Sequence, residues 1–528
     1  MDQAGIITSP FPTVTIPDLA FTDYVYQRAA ELADKPALID GSSGRTLTYG
    51  QITGAIRLVA ASLAARGFGK GDVFAIYSPN LPEYAVAFHA VATLGGIVTT
   101  ANPLYTAHEL AHQLQDANAQ YLLTVPPFLD KAQEAAQLAG GIKEIFVFGE
   151  ADGATPFASL LQSDGKVPAV TIAPDDVVAL PYSSGTTGLP KGVMLTHRNL
   201  VANIAQLVGM PKDACTVRAD DVLMGILPFY HIYGMIVIMN YALHVGGTVI
   251  TMARFDMEQF LSLIQQYKIT YMNLVPPLVL GLAKHPLVDK FDLSSLRTIV
   301  SGAAPLGAPL EQECSTRLGC IVTQGYGMTE ASPVTHFRLY NGGATKPGSI
   351  GPAIPNTECQ VVDVVSGAAL AAGAEGELWV RGPQVMKGYL NNPTASRNTV
   401  DDEGWLHTGD IGYADADGDF YIVDRLKELI KYKGLQVAPA EIEAMLLTHP
   451  AIADAAVIGK ADEEAGEVPK AFVVLKGEAT AVEIMAFIAA RVAPHKRVRE
   501  VEIIPQIPKS ASGKILRRLL VEHDQAGT

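Results

Sequence analysis

Cysteine is scarce. Only Cys215, Cys314, Cys320 and Cys359 occur among 528 residues, with no close CxxC pair and no Cys/His ligand spacing. A disulfide-stapled scaffold and a structural zinc module are therefore excluded, and the thiols are expected to be isolated. Positive charge is also in deficit: 39 Lys plus Arg stand against 54 Asp plus Glu, a net −15. Such a balance disfavours nonspecific adhesion to nucleic acid or to an anionic membrane. Long apolar runs are missing too. The most apolar windows, 84–101 and 234–252, are interrupted by His, Asn and paired Gly, which suits buried helices and strands better than an integral membrane segment. The opening MDQAGIITSPFPTVTIPDLA has no basic stretch followed by an apolar core, and the closing QAGT is no peroxisomal address, so cytoplasmic localisation is the expectation.

What remains is a hydrophobic fraction of 48% with 48 Gly and 33 Pro, enough to build a large, turn-rich core of more than one domain. FTDYVYQRAAELADKPALID predicts a helix delivering into a strand. From there helical and strand-like segments alternate through GQITGAIRLVAASLAARG, GDVFAIYSP, LPEYAVAFHAVATLGG and IVTTANP, the rhythm of a layered, largely parallel sheet. A second layered region begins near Asp175, with DVVALPYS, KGVMLTHRNLVANIAQ, DVLMGILPFY, TVITMA, TYMNLVP and LRTIVSGAAP. Short, turn-rich strands from Lys346 to Trp405 predict a separate β subdomain. The expected fold is α/β: a large N-terminal body of layered α/β subdomains plus a β subdomain, residues 1–423, and a small mobile α+β cap, residues 424–528.

The densest chemical signal is YSSGTTGLPKGV, Tyr182 to Val193. Glycines let backbone amides approach an oxyanion, while Ser183, Ser184, Thr186, Thr187 and Lys191 supply donors and positive charge around Gly185 and Gly188. It is not a Walker A loop, because Lys191 is followed by Gly192. By composition a solvated turn and a phosphate cradle are equally good readings. QGYGMTE, Gln324 to Glu330, likewise reads as a sheet-edge turn or as a nucleotide contact. Asp410 in GWLHTGD is a turn cap or an acceptor for ligand hydroxyls, and Arg425 in VDRLKE a surface charge or an oxygen-binding fork. No G-x-S-x-G elbow with an ordered acid and histidine is present, and no HExxH, so serine-hydrolase and zinc catalysis are disfavoured.

Taken in order, YSSGTTGLPKGVMLTH, LPFYHIYG, SGAAPL, QGYGMTE, GELWVRG with MKGYL, GWLHTGD, VDRLKELIKYKGLQVAPAE and PKSASGKILRR make the chain similar, over nearly its whole length, to the adenylate-forming acyl-CoA synthetases. It most resembles the bacterial 4-coumarate- or cinnamate-CoA ligases. The resemblance implies an ATP- and Mg²⁺-dependent enzyme that joins a small carboxylic acid to CoA through an acyl-adenylate. ATP, CoA and the acid are then the partners, with no nucleic acid, and no motif sets an oligomeric state. It places Ser183 to Gly188, Lys191, Gln324, Gly325, Tyr326, Asp410, Arg425, Lys433 and Gly434 at the nucleotide or CoA, with Tyr326 on adenine, Thr329 on the α-phosphate and Glu330 on Mg²⁺. It makes Lys514 the adenylation lysine and Lys427 the hinge. Lys431 and Gln436 match active-site polar groups, and Gly434 borders the pantetheine channel once the cap has rotated. His231 becomes an aromatic-bracketed gate between acyl and CoA sites. Tyr233, Val237, Ser301, Gly302, Ala303, Gly325, Gly327, Pro333 and Val334 become the acyl-pocket wall, Val237 standing where plant relatives often carry a smaller residue. Within the fold the alternative is a medium-chain fatty-acid CoA ligase; outside it, a noncatalytic acyl-nucleotide sensor.

Overall fold

In the computed structural model the described residues are 5–183, 190–212, 215–340, 346–433, 435–462, 464–510 and 513–526. Two eight-stranded sheets form the body. In the first, the strands at 73–76, 97–100, 119–124, 144–147, 155–156 and 177–183 run parallel, and 191–196 and 388–389 close one edge antiparallel. In the second, 36–40, 222–225, 248–251, 271–274, 298–301 and 321–327 run parallel between antiparallel edges at 46–48 and 334–337. Parallel strands need helical crossovers, which cover both sheet faces and explain the all-apolar runs. All of Val73–Ile76 and Tyr271–Leu274 is buried. Helices begin where the sequence supplies caps: Thr48 with Gln51, Thr106 with Glu109 and Thr196 with Asn199 form reciprocal capping boxes.

A third, antiparallel sheet of five strands answers to the expected β subdomain but is wider than Lys346–Trp405. It runs on through 406–414 and Phe420–Arg425 and recruits Ile7–Thr8 from the N-terminus. The fourth sheet, of five strands between Ile430 and Ile503, packs with the helices Pro439–Leu446 and Ala481–Ala489. The helix expected from Phe21 is short, Phe21–Val25, and gives way to turns before the strand Pro36–Asp40. The apolar run after His231 is wound as a π-helix, Tyr233–Asn240, a wider helix that shifts side-chain positions and recurs at functional sites. Among the described residues no helix is long and apolar enough to cross a membrane.

Several imidazoles lie inside this core. His89, bonded to Asn240 at 2.7 Å and to Thr22 at 3.0 Å, is pushed down to about 3 by burial, as is His336; His197 is pushed down to about 4, again chiefly by burial. Each takes up a proton on unfolding between its ordinary pKa near 6.5 and its depressed folded value. Their neutral burial therefore stabilises fully above pH 6.5 and progressively less as pH falls. His89 alone should remove about 2 kcal/mol between pH 7 and pH 5. The urea midpoint is expected to drop steadily over that interval; a flat profile would contradict neutral burial.

Candidate functional site

The cavity of interest opens between the second sheet and the C-terminal residues. Its walls come from the C-terminal ends of the parallel strands, where open α/β sheets bind ligands. Gly302, Ala303, Gly325, Gly327, Pro333 and Val334 line it, joined by His231 just before the π-helix, by Tyr233 and Val237 within it, and by Lys514. Two of these glycines are there for space. A Cβ on Gly327 would sit 2.1 Å from the Pro333 carbonyl oxygen, and one on Gly302 would press at 3.0 Å on the Tyr233 ring.

Tyr326, at the cavity edge, donates to Asp410 Oδ2 at 2.5 Å, and Arg425 Nε meets Asp410 Oδ1 at 3.1 Å. Asp410 and Arg425 are cross-strand partners in the third sheet, so sheet register alone brings carboxylate and guanidinium together. Burial, reinforced by the Asp410 charge, holds the Tyr326 hydroxyl protonated well above its usual range. Lys514 is shifted down by loss of hydration and by Arg425, while Asp410, Glu330 and Glu428 pull it back. Beside it His231 is pushed down to about 3, first by burial and then by the Lys514 charge. The imidazole is neutral at pH 7.

Thr329 and Glu330 are buried in a short 3₁₀ turn. Tyr389, which sequence reasoning passed over, donates to Glu330 Oε1 at 2.8 Å, and the Lys191 ammonium lies 5.1 Å over its ring. The other Glu330 oxygen has no hydrogen-bond partner among the described residues. A carboxylate oxygen free of protein donors is the kind of ligand Mg²⁺ takes, so the donor chemistry of Glu330 fits that ion. A three-carboxylate group elsewhere, Glu500, Glu502 and Asp524, already surrounds the buried Lys470 ammonium at 2.6 to 2.8 Å and is an ion-pair cluster.

Other expected residues fall elsewhere. Ser183 ends its strand opposite Lys191, but Ser184, Gly185, Thr186, Thr187, Gly188 and Gly434 lie outside the described residues. The Gln324 side chain faces inward, exchanging hydrogen bonds with the Leu306 backbone and donating to Glu311, so its amide is committed to the fold. Ser301 is buried behind the wall and does not line the cavity. Lys431 and Gln436 are exposed and face each other across the 430–437 hairpin, while Lys433 pairs with Glu464 at 2.5 Å. None of these three reaches the cavity. Sequence reasoning also missed its inner lining, Asn273, Tyr241, Tyr271, Cys215 and Thr216; the one available sign was an Asn inside the apolar strand TYMNLVP.

Comparison with known proteins gives this geometry its family. The AMP-binding enzyme family model matches residues 25–390, and the AMP-binding enzyme C-terminal domain matches 441–514. The chain belongs to the AMP-binding enzyme family. Among curated relatives, 4-coumarate–CoA ligase 1 of Solanum tuberosum is 46% identical, covering 99% of this chain and 98% of its own. The 4-coumarate–CoA ligase of Pinus taeda is 45% identical, covering 97% and 96%. Among solved structures, the anthranilate CoA ligase AuaEII in complex with anthranoyl-AMP aligns with TM-score 0.89 at 26% identity over 97% of this chain and 98% of that one. ATP-bound MatB from Rhodopseudomonas palustris aligns with TM-score 0.85 at 30% identity over 95% and 98%. The curated relatives named here are plant proteins, whereas the sequence motifs pointed to bacterial ligases.

Tyr389→Phe keeps the ring under Lys191 and deletes the hydroxyl that donates to the buried Glu330 carboxylate and also meets Thr399 and Ser183. Urea unfolding should show a loss of about 1.5–3 kcal/mol. Unchanged stability would mean that the Tyr389–Glu330 bond contributes nothing.

Proposed function

We propose that the protein is an ATP-dependent acid:CoA ligase whose substrate is an aromatic acid of the 4-coumarate or cinnamate type, akin to the bacterial ligases of that kind. The observation that carries this reading is one cavity with apolar walls that ends at Lys514, Tyr326 and Thr329. A carboxylate oxygen attacks the α-phosphate of ATP and pyrophosphate leaves; the CoA thiol then attacks the acyl carbonyl and AMP leaves. The plant 4-coumarate–CoA ligase relatives and the acyl-adenylate-bearing structural neighbour support the same chemistry.

Each residue has a part in that scheme. Lys514 supplies the cation that offsets charge building on the attacking carboxylate and the α-phosphate. Thr329 donates to the α-phosphate, and the Ser183–Lys191 segment cradles the outer phosphates. Tyr326 and Gly325 take the adenine, while Asp410 and Arg425 accept and fix the ribose. Glu330 would hold Mg²⁺, which neutralises phosphate charge when bound. His231, neutral and apolar on its faces, separates the acyl end from the thiol entrance. The small and apolar walls at Tyr233, Val237, Gly302, Ala303, Pro333 and Val334 suit a ring-bearing acid.

The division into a body, 1–423, and a mobile cap, 424–528, belongs to the same proposal. Lys431, Lys433 and Gln436 stand on the cap outside the cavity that holds Lys514. Rotation about Lys427 would withdraw Lys514 and bring the 431–436 segment to the acyl-adenylate for thioester formation.

Lys514→Ala should lower acid-dependent pyrophosphate exchange about 100-fold or more while sparing thioester formation from supplied acyl-adenylate. With wild-type protein, 4-coumarate and cinnamate should support exchange and CoA thioester formation, and octanoate should do so poorly. Robust turnover of octanoate with none of the aryl acids would overturn the aromatic assignment; no exchange with any acid would overturn the ligase.

A further inference from the structure

We propose that Asn273 is a specificity-determining residue, selecting acids that carry a hydroxyl on the part of the molecule remote from the carboxyl group; this rests on the ligase reading and narrows its substrate. Asn273 lies in the strand Tyr271–Leu274, whose side chains alternate. Met272 and Leu274 pack into the core behind the sheet, whereas Tyr271 and Asn273 line the cavity. The Asn273 side chain is 1% exposed, and its Nδ2 has no hydrogen-bond partner among the described residues. Oδ1 lies 3.4 Å from the Tyr233 hydroxyl, which is 3.2 Å from the Val300 carbonyl.

That hydroxyl carries one hydrogen and cannot serve both acceptors. Turning the amide over would set nitrogen against the Tyr233 oxygen and leave Oδ1 in the unpartnered place. One amide atom is thus left over in either orientation, in a cavity whose walls include the apolar Val237, Val300, Ala303, Val334 and Phe337 as well as Tyr241, Tyr271, Cys215 and Thr216. A buried polar atom without a partner is costly, and a ligand that supplies the partner recovers that cost. A hydroxyl both donates and accepts, so it completes either orientation, while a methyl group or a bare ring edge completes neither.

Strand geometry fixes which part of the ligand meets this amide. Gly513, next to Lys514, packs on Val275, so Lys514 enters at the C-terminal end of this strand. Asn273 lies two residues back along the strand, about 7 Å deeper, and two strands, about 10 Å, across the sheet from the strand carrying Gly325 and Tyr326. An acid with its carboxyl at Lys514 and Thr329 therefore presents its far portion to Asn273.

The test compares two acids of the same shape, 4-hydroxycinnamate and 4-methylcinnamate, in wild type and in Asn273→Leu. In wild type kcat/KM should favour the hydroxylated acid about tenfold or more, and in Asn273→Leu the ratio should fall to about one with the methyl acid retained. A ratio unmoved by the substitution, or both acids losing equally, would overturn the proposal. Should Asn273→Leu not fold, calorimetry on wild type with the hydroxyl- and methyl-bearing acyl-sulfamoyl adenosines reads the same preference, and equal affinities overturn it. Failure of the aromatic reading looks different: neither cinnamate turns over while alkyl acids do. The comparison then moves to 8-hydroxyoctanoate against nonanoate, where a wild-type preference for the hydroxyl that Asn273→Leu abolishes still supports the role and its absence still refutes it.

Discussion

The Asp410 carboxylate is the point at which three parts of the molecule meet. Tyr326 reaches it from the second sheet, Arg425 from the last strand of the third, and the field of the pair extends to Lys514 in the C-terminal residues. A carboxylate with 4% of its residue surface exposed is costly to bury without donors on its oxygens, and here each oxygen has one. Arg425 in turn is held more firmly protonated by Asp410, its largest perturbation. Lys514 then sits where one fixed cation lowers its hold on a proton and the carboxylates of Asp410 and Glu330 restore it. Ligand charge arriving at this junction falls on donors whose positions are already fixed, and such preorganisation is what makes electrostatic stabilisation effective.

The same logic governs the far side of the site. Tyr389 ties Glu330 to Lys191, and it stands there because Asn199, at the start of its helix, donates to the backbone of Pro383 and Val385, and because Val193 pairs with Tyr389. Carboxylate, ammonium and hydroxyl from three separate elements are thus held by backbone pairing and one helix cap. Little depends on flexible side-chain choice.

Much of this was legible in residue order. The alternating segments gave the layered body, whereas Tyr326, Asp410 and Arg425 lay in short strings whose residue types left turn and surface readings open beside functional ones, and only the ordered family resemblance assigned them, Gly327 and Lys514 to a site. The rest turned on direction, which a string does not carry. Gln324 sits one residue from Gly325, yet strand alternation turns its amide inward onto Glu311, whose other oxygen meets Arg338 at 2.5 Å. Ser301 beside Gly302 is hidden for the same reason. Asn273 escaped notice because a lone polar residue in an apolar strand looks like a satisfied core group until its partners are counted. Tyr389 escaped because its importance lies in contacts 59 residues away in sequence.

Positioning of Lys514 has a cause outside the cavity. Three residues further on, Arg517 donates to Glu428 at 2.7 Å and to Glu443 at 2.7 and 2.9 Å, with Asp424 near enough to perturb it. Burial raises Glu443 to about 7 and Asp424 above its ordinary value, so one guanidinium is shared among carboxylates that would repel each other without it. Asp424 is the residue before Arg425, and its carboxylate also accepts the Ala440 N–H at 2.8 Å at the head of a C-terminal helix. Arg517 therefore couples the segment bearing Lys514 to the place where the chain leaves the third sheet. Losing one member of such a buried cluster strands the others, typically at about 3–5 kcal/mol, far more than a surface pair contributes. Within the C-terminal residues, the lysine at the cavity is therefore held from behind by charges that never touch it.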